Sequence, residues 1–329
     1  FRIYSLKIYD CIVIGAGISG LFAANRLQTE GLEVLVLDKG RGLGGRMATR
    51  RISSGVFDHG AQFFTVKNEI FLSFVNDWIE NGIVKPWYEV SYTKDRDNLT
   101  RFCCTGGMTL IPKFLAHDLH VELTWQVKKI IKEENFWKII SESNNVLNAK
   151  SIILTAPIPQ SLLLLREVEC LKMEQVKSKL ESIEYDPCIA VMALLDGSSK
   201  IDAPGSYEFK EGSISWICDN RVKGISPDGG GVTIHGSPTF SRKYWDEDRE
   251  YAGNLLLEIA REWLDSKVLE FQVHGWRYSK PINFYEERYA FLDDSLPLFL
   301  AGDAFLGPRV EGAALSGLSA SEKLLEIRK

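Results

Sequence analysis

The chain has 329 residues, and at about 150 residues per domain this length predicts two domains. Hydrophobic residues make up 45% of the chain and charged residues 25%, the composition of an ordinary folded protein and not of a disordered, collagenous or membrane-spanning one. The net charge is −5 without a basic block, so a general nucleic-acid-binding protein is not expected. No segment approaches the roughly 20 consecutive apolar residues that a membrane span needs.

Six cysteines occur without a C-x-x-C pair. We expect reduced thiols in an intracellular, cytoplasmic protein, because a chain of this size needs no disulfides. The first residue is Phe1 and not Met, which leaves a removed organellar targeting segment open. The adjacent Cys103 and Cys104 are expected to point to opposite faces of a strand, and a redox switch is the alternative.

The first forty residues have the pattern of a strand, a helix and a second strand. Residues 9–14 are rich in β-formers, 18–29 place apolar side chains at helical spacing, and 33–37 form another apolar, β-branched run. Such a unit belongs to a parallel sheet, so a doubly wound α/β domain is predicted to begin here. The uncharged run 11–24 also resembles a secretory signal, but its glycines favour the strand-and-turn interpretation.

Farther along, strand-like and helical segments alternate. Strands are predicted at 84–93, 98–104, 121–132, 136–141 and 151–154, and helices near 108–117, 167–182 and 246–264, before a final strand, glycine-rich turn and helix. We predict a nucleotide-binding domain made of discontinuous segments, with a mostly antiparallel substrate domain inserted twice. The predicted bounds are 1–70, 105–165 and 286–329 for the nucleotide-binding domain, and 71–104 and 166–285 for the substrate domain.

Two features near the start predict a dinucleotide site. Gly15, Gly17 and Gly20 match G-x-G-x-x-G between strand and helix, a spacing that permits a tight turn, close approach of the backbone to phosphates and close helix–strand packing. The helix start also offers amides and the positive end of its dipole. Asp38 follows the second strand about 20 residues later, where a carboxylate binds ribose hydroxyls. A ligand-free turn and a solvated acid are the alternative interpretations.

A second glycine turn and the C-terminal segment favour FAD over NAD. Residues 41–46 (RGLGGR) directly follow the acid and supply arginines for the same diphosphate. Residues 299–303 (FLAGD) and 307–313 (GPRVEGA) have the pattern of a strand, an acid and a glycine-opened helix. The acid can hold the ribityl chain, and the helix start can stabilise the negative charge of a reduced flavin ring.

Several longer motifs carry a family resemblance. They are 39–51 (KGRGLGGRMATRR), 57–65 (FDHGAQFFT), 155–157 (TAP), 274–278 (HGWRY) and 302–317 (GDAFLGPRVEGAALSG). They resemble those of the renalase-like flavoproteins, within the wider flavin amine oxidase superfamily, and nearly the whole chain is similar. The motifs are more similar to those of the bacterial and plant branch than to those of the vertebrate members. The resemblance implies a GR2-type FAD-binding, doubly wound (Rossmann-like) domain with an inserted substrate domain of mostly antiparallel β-sheet plus helices.

The resemblance also implies noncovalent FAD, with residues 58–62 beside the flavin, Val127 at the adenine and Ala156-Pro157 lining the cofactor. Gly40 stands where many relatives have Ser, and this difference removes a potential hydrogen bond to the cofactor. Ala304 and Ala314 are small where some bacterial relatives have bulky residues, which leaves the size of the pocket, and therefore the substrate, open. Motifs and resemblance together predict these cofactor-binding residues: Gly15, Ala16, Gly17, Ile18, Ser19, Gly20, Asp38, Lys39, Arg41, Gly44, Gly45, Arg46, His59, Gly60, Ala61, Gln62, Val127, Ala156, Pro157, Gly302, Asp303, Arg309, Val310, Glu311 and Gly312.

The activity implied by the resemblance is oxidation of misreduced dihydronicotinamide dinucleotides. Bacterial renalases oxidise the 2- and 6-dihydro isomers of NAD(P)H to NAD(P)⁺ while O₂ becomes H₂O₂. A dihydropyridine loses hydride with a push from its ring nitrogen and gains aromaticity, so the step needs orientation against flavin N5 and no general base. Accordingly, no acid–base catalytic residue and no metal site is predicted.

Phe64, His235, Trp276 and Tyr278 are the predicted substrate-binding residues. Alternation along a strand places both aromatic rings of 276–278 on one face, where they can stack on a pyridine ring, and Arg277 on the other. The resemblance places a pocket histidine at His235, which could orient a carboxamide. Core packing and a satisfied strand histidine explain these residues equally well.

Two alternative functions stay open. An amine oxidase or desaturase acting on an apolar substrate would use the same FAD motifs, and a non-catalytic, flavin-binding redox sensor would keep the cofactor turns without a substrate pocket. The expected partners of the favoured function are a small-molecule dinucleotide and O₂. The sequence leaves the oligomeric state open.

Overall fold

The computed structural model describes residues 7–90 and 99–329. It divides into two compact units. The first unit comprises the chain up to Gly45, Pro112–Glu184 and Pro281–Lys329, and the second comprises Arg46–Ile111 and Tyr185–Lys280.

Strands and helices alternate along the described chain. The strands are β1 (Ile8–Tyr9), β2 (Cys11–Ile14), β3 (Val34–Leu37), β4 (Thr49–Ile52), β5 (Gly55–Asp58), β6 (Val84–Val90), β7 (Leu99–Cys104), β8 (Val121–Glu122), β9 (Val127–Lys132), β10 (Trp137–Ser141), β11 (Val146–Ala149), β12 (Ile152–Leu154), β13 (Tyr185–Leu195), β14 (Ser206–Glu208), β15 (Ile214–Asp219), β16 (Gly231–Gly236), β17 (Val268–Pro281), β18 (Ala290–Asp293) and β19 (Leu298–Leu300). The helices are α1 (Ile18–Thr29), α2 (Glu69–Glu80), α3 (Leu110–Leu115), α4 (Ile158–Leu165), α5 (Met173–Glu181), α6 (Pro238–Lys243), α7 (Arg249–Ile259), α8 (Arg261–Leu264) and α9 (Val310–Ile327).

The first unit is built on a six-stranded sheet in the order β18-β19-β12-β2-β3-β8. Its pairs are parallel except for β18 with β19. Every residue of β2, β3 and β12 is buried, as expected for central strands of a covered parallel sheet. A smaller sheet, β1-β11-β10-β9, completes the unit. The predicted Rossmann-like α/β fold is confirmed.

The second unit is built on a five-stranded sheet in the order β14-β15-β16-β13-β17, with hairpins β4–β5 and β6–β7. The sheet pairs with described registers are antiparallel. Helices α6 and α7 cover β13 over an apolar core. Strand β17 lies at the edge of this sheet as the structure describes it, so one row of its backbone groups pairs with no strand of the sheet.

Several elements differ from the sequence predictions. The hairpin β4–β5, helix α2 and helix α4 were not expected. Helix α2 carries both usual signals, since Asn68 caps its start and Phe71, Val75 and Trp78 share a buried face. The predicted helix 167–182 is confined to α5, where nine residues form the helix.

The two units also differ from the predicted domain bounds. Residues 46–70 belong to the second unit, because apolar residues of the β4–β5 hairpin pack with those of β13. Residues 166–184 belong to the first unit, because α5 contacts α4 and β18. Local sequence patterns do not record these long-range contacts.

All six cysteines are free thiols. Cys103 and Cys104 are both buried in β7, and burial raises the pKa of each thiol above its ordinary value. A protonated, inaccessible thiol is unreactive, which favours the structural interpretation over a redox switch. Across the part of the chain that the structure describes, no helix has the length and apolarity to cross a bilayer.

Candidate cofactor and substrate sites

The glycine turn after β2 has the conformation that the motif predicts. Gly15 has φ +117°, and a Cβ at Gly20 would lie 1.9 Å from the Gly15 carbonyl oxygen, so neither position accepts a side chain. Space is open where Gly17 would carry a Cβ. The second glycine turn lies against the first, with the Gly44 amide donating to the Ala16 carbonyl at 2.9 Å. The two turns therefore form one surface that a diphosphate can approach closely.

Asp38 lies directly after β3, beside the glycine turn. Its carboxylate accepts hydrogen bonds from the Ala16 amide at 2.7 Å and from the Gly40 amide at 2.6 Å. These two bonds fix the carboxylate next to the phosphate-binding turn, and each oxygen keeps a further lone pair. The geometry suits binding of the ribose hydroxyls.

The C-terminal segment of the first unit ends in a second glycine-opened helix. Gly302 and Gly307 have φ values of +145° and +130°, and a Cβ at Gly312 would lie 2.5 Å from the Gly307 carbonyl oxygen. The Gly302 amide donates to Ser316 Oγ at 2.9 Å, which ties the turn after β19 to helix α9. Asp303, half-buried, follows this turn.

Helices α1 and α9 both begin without a capping side chain. Gly17 and Arg309 occupy their N-cap positions. Helices α4, α5 and α8 also begin without a side-chain cap, so it is the glycine turns before α1 and α9 that mark these two starts. Uncapped first-turn amides and the positive dipole end favour an anion. The first unit thus fits the diphosphate and ribose of the predicted FAD.

Helices α1 and α9 pack closely against each other. A Cβ at Gly317 of α9 would lie 1.9 Å from the Ser19 carbonyl oxygen of α1. Ser19 Oγ is buried and has no hydrogen-bond partner within the described ranges. This contact between α1 and α9 brings the predicted cofactor-binding residues from the two ends of the chain into one unit.

Other predicted cofactor residues also lie in the first unit. Lys39 Nζ donates to Gln160 Oε1 at 3.2 Å, and Arg41 is exposed. Val127 is buried at the start of β9, and Pro157 is the N-cap of α4 directly after Ala156. The role of Val127 at the adenine and that of Ala156-Pro157 in lining the cofactor stay predictions.

Arg46 and the segment 58–62 belong to the second unit. The Arg46 guanidinium donates to the carbonyl oxygens of Tyr278 at 3.0 Å and Ser279 at 3.2 Å. Its own carbonyl accepts the Ala61 amide at 2.8 Å, and a Cβ at Gly60 would lie 2.0 Å from that oxygen. Arg46 therefore holds this segment against β17.

Three histidines and a tryptophan, which we call the histidine cluster, lie together in the second unit: His59, His235, His274 and Trp276. Trp276 Nε1 donates to the His59 carbonyl at 2.8 Å, and its ring stacks on His59 with centroids 5.2 Å apart. His274 meets both rings, at 5.0 Å from His59 and 4.1 Å from Trp276. His274 was not among the predicted site residues, although it shares a strand face with Trp276 in the HGWRY motif.

The cluster histidines are neutral at pH 7. Burial lowers the pKa of His59 to about 3 and the pKa values of His235 and His274 to about 4. Positive charge on Arg50, Arg249 and Lys223 lowers histidine pKa values in the cluster further. A neutral imidazole carries one donor and one acceptor nitrogen.

Some buried polar atoms here have no hydrogen-bond partner among the described residues. They are His59 Nδ1, His235 Nε2 and Gln62 Oε1. Because an unsatisfied buried polar atom costs about 1–3 kcal/mol, such a group is expected to serve a polar ligand.

The remaining predicted substrate residues have different surroundings. Phe64 is buried and stacks on Phe102 at 5.7 Å, with Phe71 and Trp78 edge-on, so core packing accounts for its contacts. Tyr278 is half-buried on β17, and Arg277 between the two aromatic residues is exposed.

The second unit also contains a buried ion pair that sequence patterns did not indicate. Lys223 Nζ lies 2.7 Å from Asp58 Oδ2, and both side chains are fully buried. Asp58 also accepts from Thr49 Oγ1 at 2.6 Å and the Met108 amide at 2.8 Å. Burial alone lowers the pKa of Lys223, but the Asp58 charge outweighs it and the pKa is raised. Asp58 directly precedes His59, so its ion pair with Lys223 fixes the start of the segment 58–62.

Comparison with known proteins assigns the family. The model of the NAD(P)-binding Rossmann-like domain matches residues 13–78, and that of the flavin containing amine oxidoreductases matches residues 84–325. The chain belongs to the flavin-containing amine oxidoreductase family. Its cofactor is FAD, and the glycine turns and the starts of α1 and α9 in the first unit fit this group.

Relatives of this flavin-containing amine oxidoreductase support the same assignment. Mouse renalase is 26% identical, over 95% of this chain and 98% of its own length. An L-amino acid dehydrogenase of Synechocystis is 39% identical over 70 residues, 21% of this chain and 15% of the relative. A triply substituted putrescine oxidase has the same fold, with a TM-score of 0.71 at 14% identity, covering 98% of this chain and 99% of the other.

Proposed function

We propose that this FAD-dependent oxidoreductase oxidises the 2- and 6-dihydro isomers of NAD(P)H, with O₂ as electron acceptor. The overall change is dihydro isomer, O₂ and a proton to NAD(P)⁺ and H₂O₂. Similarity to renalase along nearly the whole chain supports this reaction. Charge and polarity in the histidine cluster support the same substrate class.

Positive charge around the histidine cluster is the observation that carries the proposal. Arg50, Arg249 and Lys223 all act on the cluster histidines. Asp58 offsets the charge of Lys223. Arg50 and Arg249 have no ion-pair partner within the described part of the chain. Their positive charge therefore favours an anionic dinucleotide over a protonated amine as substrate.

The unpartnered polar atoms of the cluster argue against an apolar substrate. An apolar molecule would cover His59 Nδ1, His235 Nε2 and Gln62 Oε1 without satisfying them. A nicotinamide carboxamide offers both donors and an acceptor for such atoms. We propose that these side chains orient the carboxamide.

The cluster histidines act in binding and not in proton transfer. FAD, held by the glycine turns and Asp38 of the first unit, would supply the hydride acceptor and the route for two electrons to O₂. A dihydropyridine releases its hydride without deprotonation, so neutral histidines suffice. Trp276, held through its Nε1 by the His59 carbonyl, keeps the His59 ring in place by stacking.

The test is anaerobic reduction of the purified, FAD-loaded protein by 2-, 4- and 6-dihydro isomers and by a panel of amines. Rapid loss of visible flavin absorbance with the 2- or 6-isomer alone is the expected result. Reduction by amines alone would contradict the proposal and favour an amine oxidase. Reduction by none of these compounds would favour the non-catalytic flavin protein.

A further inference from the structure

Two side chains on neighbouring strands of the second unit carry a donor and an acceptor without partners. Trp216 on β15 lies directly opposite His235 on β16 in the antiparallel register, so both project from the same face of the sheet. The Cβ atoms of such opposite residues are about 5 Å apart. Trp216 Nε1 and His235 Nε2 are both buried, and neither has a hydrogen-bond partner among the described residues. We call these two residues the Trp–His pair.

The Trp–His pair faces the segment that carries His59 and not the helices of the second unit. Side chains alternate along a strand, and the adjacent residues Ile217 and Ile234 pack in the apolar core with α6 and α7. The Trp216 ring, in contrast, contacts Phe63 with centroids 5.4 Å apart. The pair therefore lies on the face that carries the histidine cluster, of which His235 is a member.

The hydrogen-bonding roles of the two nitrogens are fixed. An indole nitrogen can only donate. The ring of His235 donates to the His59 backbone, which raises its pKa, although burial outweighs this and holds the pKa at about 4. Because Nε2 is without a partner, Nδ1 makes this bond and carries the hydrogen of the neutral ring. Nε2 is consequently an acceptor, and the pair consists of one N–H and one lone pair.

The indole of the pair is held by its neighbours. The Arg101 guanidinium carbon lies 5.4 Å from the centre of the Trp216 ring and 4.0 Å from that of Phe63. Trp87 meets Trp216 edge-on, with centroids 6.2 Å apart. These contacts fix the orientation of the ring and thus the direction of its N–H.

Two cations near the pair are already neutralised by carboxylates. Arg101 Nη2 lies 2.6 Å from Glu208 Oε2, and Lys223 Nζ lies 2.7 Å from Asp58 Oδ2. Neither cation needs a carboxylate from a ligand. Selection between ligands at the pair therefore depends on matching donors to acceptors.

An unpartnered indole is not by itself a sign of a ligand. Trp137 in the first unit also has a buried Nε1 without a partner in the described chain, but its neighbours across the strands are Lys132 and Ala149. Trp216 differs because the residue opposite to it carries an unpartnered acceptor. A ligand with one acceptor and one donor side by side would satisfy both atoms.

We propose that the Trp–His pair recognises the primary amide of the substrate, with Trp216 Nε1 donating to the amide oxygen and His235 Nε2 accepting from the amide nitrogen. This inference rests on the proposed function and adds Trp216 as the donor to the nicotinamide group. A carboxylate has no hydrogen for His235, and an ammonium group has no lone pair for Trp216. The pair therefore selects a nicotinamide dinucleotide over the corresponding nicotinic acid dinucleotide.

Binding of oxidised dinucleotides to the FAD-loaded protein tests the pair without any turnover. The ligands are NAD⁺, nicotinic acid adenine dinucleotide, and 3-acetylpyridine adenine dinucleotide, which keeps the carbonyl oxygen and lacks the amide hydrogens. In calorimetric titration, the wild-type Kd for NAD⁺ is expected to be about tenfold lower than that for either analogue, a difference of about 1.4 kcal/mol.

Variants of the pair should change the Kd in a ligand-dependent way. Trp216→Phe is expected to raise the Kd about tenfold for NAD⁺ and for the acetylpyridine analogue, because both lose the donor to their oxygen. His235→Leu should raise the Kd for NAD⁺ to the same extent and should not weaken binding of the acetylpyridine analogue. Trp137→Phe, which removes an equally buried indole N–H from the first unit, is the control and should leave every Kd unchanged.

Equal wild-type affinity for NAD⁺ and the nicotinic acid dinucleotide, or no binding of NAD⁺, overturns the proposal. So does an equal loss for all three ligands in Trp216→Phe, since a merely structural role would weaken each of them alike. If one variant does not fold, the other variant and the wild-type comparison decide. If the wild-type protein shows this selectivity but oxidises no dihydropyridine, the proposed function fails and the recognition of the amide stands.

Discussion

At the scale of single residues, two kinds of polar group define the sites. Asp38 is a charged acceptor held by two backbone amides in the first unit. His59 and His235 are neutral imidazoles in the second unit, each with a buried nitrogen that lacks a partner in the described chain. The first suits ribose hydroxyls, and the second suits an uncharged amide. Asp38 is half-buried and keeps its charge, whereas the histidine nitrogens are buried from solvent.

Asp38→Ala is expected to weaken FAD binding by about tenfold or more, because charge-assisted hydrogen bonds contribute about 1.5–3 kcal/mol each. The measurement is the ratio of flavin to protein absorbance after gel filtration. Glu33→Ala removes an exposed acid at the opposite end of β3 and serves as the control. An unchanged ratio in Asp38→Ala would refute the ribose role.

The cluster histidines are expected to make the protein less stable in acid. Their folded pKa values of about 3 and 4 lie below the ordinary value of 6.5, so the unfolded chain binds more protons between pH 6.5 and 4. The melting temperature should fall as the pH is lowered through this window. His235→Asn should reduce the slope, whereas His117→Asn, at an exposed position, should not. Equal slopes in all three proteins would contradict this account.

At the scale of elements, the positions of the sites depend on close contacts between helices and strands. Helices α1 and α9 approach so closely at Gly317 that a methyl group would overlap backbone. In the second unit, the Asp58–Lys223 pair joins β5 to the turn after β15. Each contact positions the loop that carries predicted site residues.

Lys223→Met is expected to destabilise the protein by about 3–5 kcal/mol, because Asp58 would remain buried without its counter-charge. Urea unfolding followed by circular dichroism measures the loss. Arg26→Ala breaks an exposed i,i+4 pair and should cost less than about 1 kcal/mol. Adding Asp58→Asn to Lys223→Met should restore part of the stability. A loss no greater than that of Arg26→Ala would show that the buried pair is unimportant.

At the scale of the whole molecule, the cofactor links distant parts of the chain. The first unit is assembled from three segments, and the glycine turns after β2 and β19 belong to the first and last of them. A ligand that binds only the folded form stabilises it by mass action. Cofactor binding and folding of this unit are therefore coupled.

Added FAD is expected to raise the melting temperature of cofactor-depleted protein, with about 2.7 kcal/mol of stabilisation at a hundredfold excess over Kd. Differential scanning fluorimetry at increasing FAD concentration measures the shift. Riboflavin, which lacks the diphosphate and adenosine, should produce a much smaller shift. A melting temperature independent of FAD would contradict the assignment of the first unit as the cofactor site.

Much of the first unit was predictable from the sequence. The predicted helix 18–29 coincides with α1, and the parallel strands around it were recognised from continuous apolar runs. The FAD assignment was confirmed by the family match. It was predictable because its motifs lie within short, local segments whose spacing is typical of dinucleotide-binding turns. Helix α2 was missed although Asn68 and the spacing of Phe71, Val75 and Trp78 were available.

By itself, the sequence determined the α/β class, the glycine turns and the FAD-dependent family, since each is carried by motifs within short, contiguous segments. Only the tertiary structure decided the rest. Asp58 meets Lys223 across 165 residues, and Trp276 meets His59 across 217. The physical reason is that burial, which neutralises the histidines and leaves their nitrogens unpartnered, depends on contacts between distant strands that no local pattern encodes.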